Sequence, residues 1–141
     1  FYLPDEWWKV PVMMDGHVKE EYDWVCKNLD DLLASYGYMR DGHLYRAEQP
    51  NTDTIVFFCH FGLGCVLISH LIGVSPMVLW HGLCAAPTSV ATLVTEERRK
   101  GVASFRMGSY GDISHLYVRD EPPAFSARFC ECYDNQEERH D

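Results

Sequence analysis

The sequence predicts an α/β fold built on a mostly parallel central sheet, and three stretches carry that expectation. Thr54-Ile-Val-Phe-Phe-Cys-His60 opens as an apolar, β-branched and aromatic run with polar flanks, the composition of a strand buried on both faces. Gly62 and Gly64 then let the backbone turn sharply, and the apolar segment from Cys65 to Leu71 starts a helix. Upstream, Val18, Tyr22, Val25, Leu29, Leu32, Leu33 and Tyr36 recur at three- and four-residue steps, the spacing of a long amphipathic helix.

The elements follow in order. Phe1 to Met14 is aromatic and punctuated by Pro4 and Pro11, and reads as a loop that packs through its rings. Asp15 is the expected N-cap of the long helix, Glu20 and Glu21 suit its positive end, and Gly37 is placed to stop it. Lys19, Glu20, Asp23, Lys27 and Asp30 fall on the polar, solvated face. Met39 to Asp53 reads as a surface connector with a turn at Asp41-Gly42 and a short strand at Leu44 to Arg46. After the glycine turn and its helix, Val74 to Ala86 is a loop carrying His81 and Cys84. Thr88 to Thr95 and Val102 to Met107 are extended, with Glu96 to Gly101 as a charged turn, and make a hairpin at the sheet edge. Pro122-Pro123 starts a short amphipathic helix through Phe125, Phe129 and Cys130, before a charged tail from Asn135 to Asp141.

Composition narrows the partners. The chain has 141 residues, enough for one domain with a real core. Its 21 acidic residues outnumber 12 basic ones, and the net charge of −9 argues against nucleic acid or an anionic membrane surface as the main partner. A small anion stays compatible with a local cationic pocket. The six cysteines show no paired zinc spacing, and several lie in apolar runs, so they read as reduced thiols of a cytoplasmic protein. No basic-then-apolar export signal opens the chain, and the absence of an initiator Met fits a chain that begins in mid-protein. Between Asp53 and Glu96 there is no charged side chain, yet Gly62, Gly64, Gly73, Pro76, Gly82 and Pro87 interrupt the run, so a buried strand and helix explain it without a membrane span.

His60 is the leading candidate for chemistry. It falls at the carboxyl end of the expected strand and just before a helix N-terminus, where open α/β sheets bind ligands and free N–H groups favour anions. Competing signatures fail on their own residues. Gly62-Leu-Gly64-Cys-Val-Leu67 lacks the third glycine of a dinucleotide loop. No G-x-S-x-G elbow follows to complete a hydrolase, and no arginine follows Cys59 within the next turn to make a cysteine phosphatase. His60, His81, Cys84 and His115 do not have the spacing of a compact zinc site, so no metal or other cofactor is expected.

The order of motifs resembles the histidine phosphatase superfamily, the phosphoglycerate-mutase-like enzymes. Phe57-Phe-Cys-His60-x-Gly62, the Pro87-Thr-Ser-Val-Ala-Thr-Leu93 segment and Gly111-Asp-Ile-Ser-His-Leu-Tyr117 are similar, in sequence and separation, to the C-terminal half of that family. The resemblance implies a three-layer α/β/α sandwich, with residues 1–141 forming the C-terminal part of one domain and the N-terminal strand and helix missing from this chain. It implies phosphoryl transfer from small phosphomonoesters, with His60 as the second histidine, binding the phosphoryl oxygens together with the backbone of Phe61 and Gly62. His115 maps to the late His-Leu segment in a loop-fixing role, and Thr88 and Ser89 match a strand start near the pocket. The family's nucleophile sits in an Arg-His-Gly triplet, and none occurs here. The expectation is therefore a partner: a companion chain or missing segment that supplies the nucleophile, with a phosphorylated small molecule or inorganic phosphate as ligand.

Overall fold

A computed structural model of the chain describes residues 1–124 in two units. The first comprises Phe1–Gly82 and Val94–Arg106, the second Leu83–Leu93 and the chain from Met107 onward. The helix expected after Pro122-Pro123 and the charged tail lie outside the described residues.

The first unit begins with more helix than its prolines predict: a 3-10 turn at Trp7–Lys9, then α1, Pro11–Asp15. Pro11 stands at the first helical position, where a missing N–H costs nothing. Because α1 takes Asp15, the next helix is capped instead by His17, at a left-handed φ of 52° and with no side-chain cap bond. That helix is α2, Val18–Ser35, and it follows the predicted periodicity. Its inner stripe buries Cys26, Leu29 and Leu33, while Lys19 with Asp23 and Lys27 with Asp31 form i,i+4 ion pairs on the outer face. Gly37 ends it at φ 87°, its N–H reaching the Ala34 carbonyl at 3.0 Å.

The expected connector is a hairpin. β1, Tyr38–Asp41, pairs antiparallel with β2, Leu44–Ala47, across the Gly42-His43 turn, with Tyr38 opposite Ala47 and Asp41 opposite Leu44. After it, Asn51 donates to the carbonyls of Tyr36 and Gln49, tying the outgoing chain to the end of α2.

The mostly parallel sheet of a three-layer sandwich is not what forms. Among the described residues four strands run in the order β1-β2-β4-β3, where β3 is Val90–Arg99 and β4 is Val102–Asp112. β2 pairs antiparallel with β4 at Tyr45–Ala103 and Arg46–Val102, and β3 and β4 are joined by the two-residue turn Lys100-Gly101, which only an antiparallel pair permits. The predicted hairpin is thus present but longer, its strands extending through the charged residues Glu96 to Arg99. The sheet is two sequence-local hairpins stitched together. Thr54–Phe58, expected as the central strand, has no regular structure, and Phe58 is 97% exposed. Strand propensity describes a side chain that fits a pleated, half-covered surface. Here every strand takes its hydrogen bonds from a hairpin partner or at the β2–β4 seam, and the 54–58 run has neither.

The core of this unit gathers Leu29 and Leu33 from α2, Tyr38 from β1, Tyr45 and Ala47 from β2 and Ala103 from β4, with Ile55, Leu67, Leu71 and Phe105 packed around them. The predicted helix after the glycines is α3, Phe61–Ile72, and the loop beyond it contains α4, Pro76–Gly82. Ser75, fully buried, accepts from the Met77 N–H at 3.2 Å, supplying the cap that the loop reading overlooked. The second unit holds the far ends of β3 and β4 and a short helix, α5, Ser114–Val118. No helix among the described residues is long and apolar enough to cross a membrane.

Two glycines separate backbone strain from steric contact. Gly42 has φ 61° and open space where a Cβ would be, whereas at Gly37 an added Cβ meets the Gln49 Cβ at 2.6 Å and its carbonyl oxygen at 2.8 Å. Gly42→Ala should cost about 1 kcal/mol, the left-handed penalty alone, and Gly37→Ala about 2–4 kcal/mol. Urea unfolding midpoints compare them; equal losses would remove the Gln49 contact from the explanation.

Candidate functional site

His60 is the N-cap of α3, with extended backbone (φ −82°, ψ 159°), and its carbonyl accepts the Gly64 N–H at 3.0 Å. Its side chain makes no cap bond and is exposed. The N–H groups of Phe61, Gly62 and Leu63 are the first-turn donors that a helix cannot satisfy internally, and they open on the same end. Phe61 and Gly62 are half-buried, because α4 packs on this turn. The Trp80 ring stands edge-on to Phe61 at 5.9 Å between centroids, and a Cβ on Gly62 would meet two of its atoms at 2.7 and 2.8 Å. Gly62 therefore makes room for an indole, a role not visible from the spacing of glycines alone.

Thr88, Ser89 and His115 belong to the second unit. The Thr88 hydroxyl and His115 Nε2 are hydrogen-bonded at 3.2 Å, and the Ser89 N–H donates to the Ala86 carbonyl at 3.0 Å. Thr88 has φ 68°, a left-handed conformation that costs a β-branched residue on the order of 1–3 kcal/mol. His115, in the first turn of α5, thus holds a strained loop. Beside it the Asp112 carboxylate accepts the Ser114 N–H at 2.8 Å, and that bond lowers its pKa.

A polar cluster in the first unit joins residues that sequence reasoning left apart: Asp30 of α2, Arg40 of β1, Tyr45 of β2 and His70 of α3. Arg40 donates to the Tyr45 hydroxyl at 2.9 Å, to His70 Nδ1 at 3.1 Å and to the His70 carbonyl at 3.0 Å. Since guanidinium only donates, Nδ1 accepts, and the ring is the neutral tautomer whose Nε2–H donates to Asp30 Oδ2 at 2.9 Å. Tyr45 donates in turn to Asp30 Oδ1 at 3.1 Å. A cleft of about 330 Å³ opens beside the cluster, lined by Asp5, Trp8, Lys19, His43, His70 and Gly73 among others. Both ring nitrogens of His70 are already engaged, so the cluster offers that cleft no free base. It locks two helices to a hairpin. The available signal was Asp30, bordering the apolar stripe beside Leu29 rather than lying on the far face.

The remaining candidates are inert or dispersed. Cys26, Cys59 and Cys65 are free thiols, and burial pushes Cys26 and Cys65 up to about 11, away from the reactive thiolate. Among the described residues, no group of three or more His, Cys, Asp or Glu side chains is arranged to hold a metal ion.

The cluster has a pH signature. Burial pushes the Asp30 carboxyl up, but the His70 hydrogen bond, the Arg40 charge and the Tyr45 hydroxyl outweigh it and leave the pKa below its ordinary value. The folded pKa lies below the unfolded one, so this contribution is complete above the unfolded value of about 4 and is lost as pH falls through the folded value. Asp30→Asn should lower stability by about 2 kcal/mol at neutral pH and flatten the acid limb of the stability profile. Denaturant unfolding at a series of pH values checks both; an unchanged acid limb would release Asp30 from this role.

With this geometry in place, comparison with known proteins returns no match: no family, curated protein or solved structure is similar to the chain.

Proposed function

We propose that the chain supplies the electrostatic half of a phosphoryl-transfer site of the histidine phosphatase type, in which His60 and the first-turn N–H groups of Phe61 and Gly62 bind the phosphoryl oxygens of a small phosphomonoester. The observation that carries this reading is His60 itself, an exposed imidazole with no hydrogen-bond partner among the described residues, at the N-terminus of a twelve-residue helix. Donors aimed at developing charge do most of the protein's part in phosphoryl transfer. The motif order described above supplies the substrate class. His115 and Thr88 fix a loop in this reading rather than touch phosphate.

The nucleophile comes from a companion chain or segment. No Arg-His-Gly triplet is present, and Arg40, Arg46, Arg98 and Arg106 of the first unit are engaged with carboxylates of their own unit. Val56, Phe57 and Phe58, immediately before His60, are exposed, as expected of an apolar run that another segment covers. The free thiols favour a reducing, cytoplasmic setting. The missing triplet also favours a second reading, a non-catalytic domain that binds an anion or a protein through the same end of α3.

Two measurements separate these. With a segment carrying an Arg-His-Gly triplet supplied, the assembly should hydrolyse a generic phosphomonoester, and His60→Ala should reduce kcat by about 10²–10³. Undiminished hydrolysis by the variant would sink the assigned role of His60. Phosphate binding that shifts the His60 ring resonances, without turnover in any assembly, would favour the non-catalytic reading.

A further inference from the structure

We propose that Thr88 and His115 form a nucleophile–base dyad that hydrolyses carboxylic esters with an apolar acyl group. Ala86 to Ser89 is a β-turn, closed by the Ser89 N–H on the Ala86 carbonyl at 3.0 Å. Pro87, whose ring fixes a negative φ, takes the second position, and Thr88 takes the third at φ 68°, the combination of a type II turn. Glycine is the usual residue there, and a β-branched one is an outlier held at a cost. Such outliers collect at functional sites. What threonine brings to the turn is a hydroxyl, and its Oγ1 lies 3.2 Å from His115 Nε2. A neutral hydrogen bond between exposed groups contributes little, since water competes for both partners, so it does not by itself account for the strained turn.

The second unit holds the whole arrangement. Its two segments run close together, for a Cβ on Gly111 would stand 3.8 Å from the Cys84 carbonyl oxygen, and this brings the turn to the start of α5. Thr88 and His115 are both open to solvent, so an ester can reach the hydroxyl while it stays within reach of its base. The Asp112 carboxylate, its pKa lowered by the Ser114 N–H, lies beside that base. The acyl preference follows from the neighbours: Val118, 87% exposed, is three residues after His115 on α5, and Val90, 48% exposed, is two residues after Thr88. In the first step Thr88 Oγ1 attacks the ester carbonyl carbon, its proton passes to His115 Nε2, and the leaving oxygen departs with that proton as the alcohol. In the second, His115 takes a proton from water, the resulting hydroxide attacks the acyl carbon, and Thr88 leaves with that proton as the acid is released. This activity shares no residue with the His60 end of α3 and is independent of the phosphoryl-transfer reading.

Turnover of p-nitrophenyl butanoate by the full chain tests it, together with peptide mass spectrometry after treatment with phenylmethanesulfonyl fluoride, which should leave a stable sulfonyl ester on Thr88. Thr88→Gly suits the positive φ and keeps the turn, so it should stay folded by circular dichroism yet lose the turnover. Thr88→Ser should retain it. His115→Gln offers Thr88 a hydrogen-bond partner that cannot take its proton, and should slow turnover about a hundredfold. Hydrolysis by Thr88→Gly or His115→Gln at the rate of the unmodified chain, or an unmodified chain that neither turns over the ester nor is sulfonylated at Thr88, would overturn the proposal.

Discussion

Tyr45 is the residue on which the first unit turns, since its two ends answer to different solvents. Its ring is fully buried, edge-on to Phe105 at 5.1 Å, and its backbone pairs with Ala103 at the seam between the two hairpins. Its hydroxyl lies at the polar end of the same core, accepting from Arg40 and donating to Asp30. Burial pushes the phenol pKa up, so the group stays a donor across the range in which the fold is populated. Satisfied at both ends, the ring can lie in the core without the cost of a buried, unpartnered oxygen.

That arrangement explains how a sheet with one short seam stays attached to its helices. β2 and β4 share only the Tyr45–Ala103 and Arg46–Val102 positions, a small ladder for joining two hairpins. The polar cluster adds the links that the ladder lacks: Asp30 reaches from α2 and His70 from α3 to strands whose order in sequence is local. In it Asp30 accepts from His70 Nε2 and the Tyr45 hydroxyl, and the Arg40 guanidinium donates to His70 Nδ1. Such networks are worth having only when complete, and this one leaves no ring nitrogen of His70 unpaired.

What was legible in the sequence tracks what is local. α2 could be read because its apolar positions repeat over eighteen residues, and Gly37 because the chain there needs a positive φ. The β3–β4 hairpin could be read because β-branched residues surround a tight turn, although its charged residues lie on the strands rather than in the turn. The antiparallel sheet was not legible, since Thr54–Phe58 has the composition of a buried strand without a partner, and composition cannot say who pairs with whom. The cluster was hidden for a related reason: Asp30 and His70 are forty residues apart, and neither has a neighbour in sequence that announces the other. At the candidate site, the position of His60 before a helix was legible, whereas the use of Gly62 by Trp80 was not.

The long uncharged stretch from Asp53 to Glu96 shows how these limits arise. It passes through an exposed extended segment, two helices, a loop and half of a strand, and its changes of structure fall at residues with specific backbone demands. α3 begins where His60 holds an extended ψ, ends at Gly73 with φ 74°, and gives way to α4 through the buried Ser75 cap. Hydrophobicity therefore decides that this stretch is apolar, but punctuation decides what shape each piece takes. His60 owes its position to that punctuation rather than to a strand behind it. With no strand behind it and no side-chain cap bond, its imidazole lies exposed at the N-terminus of α3.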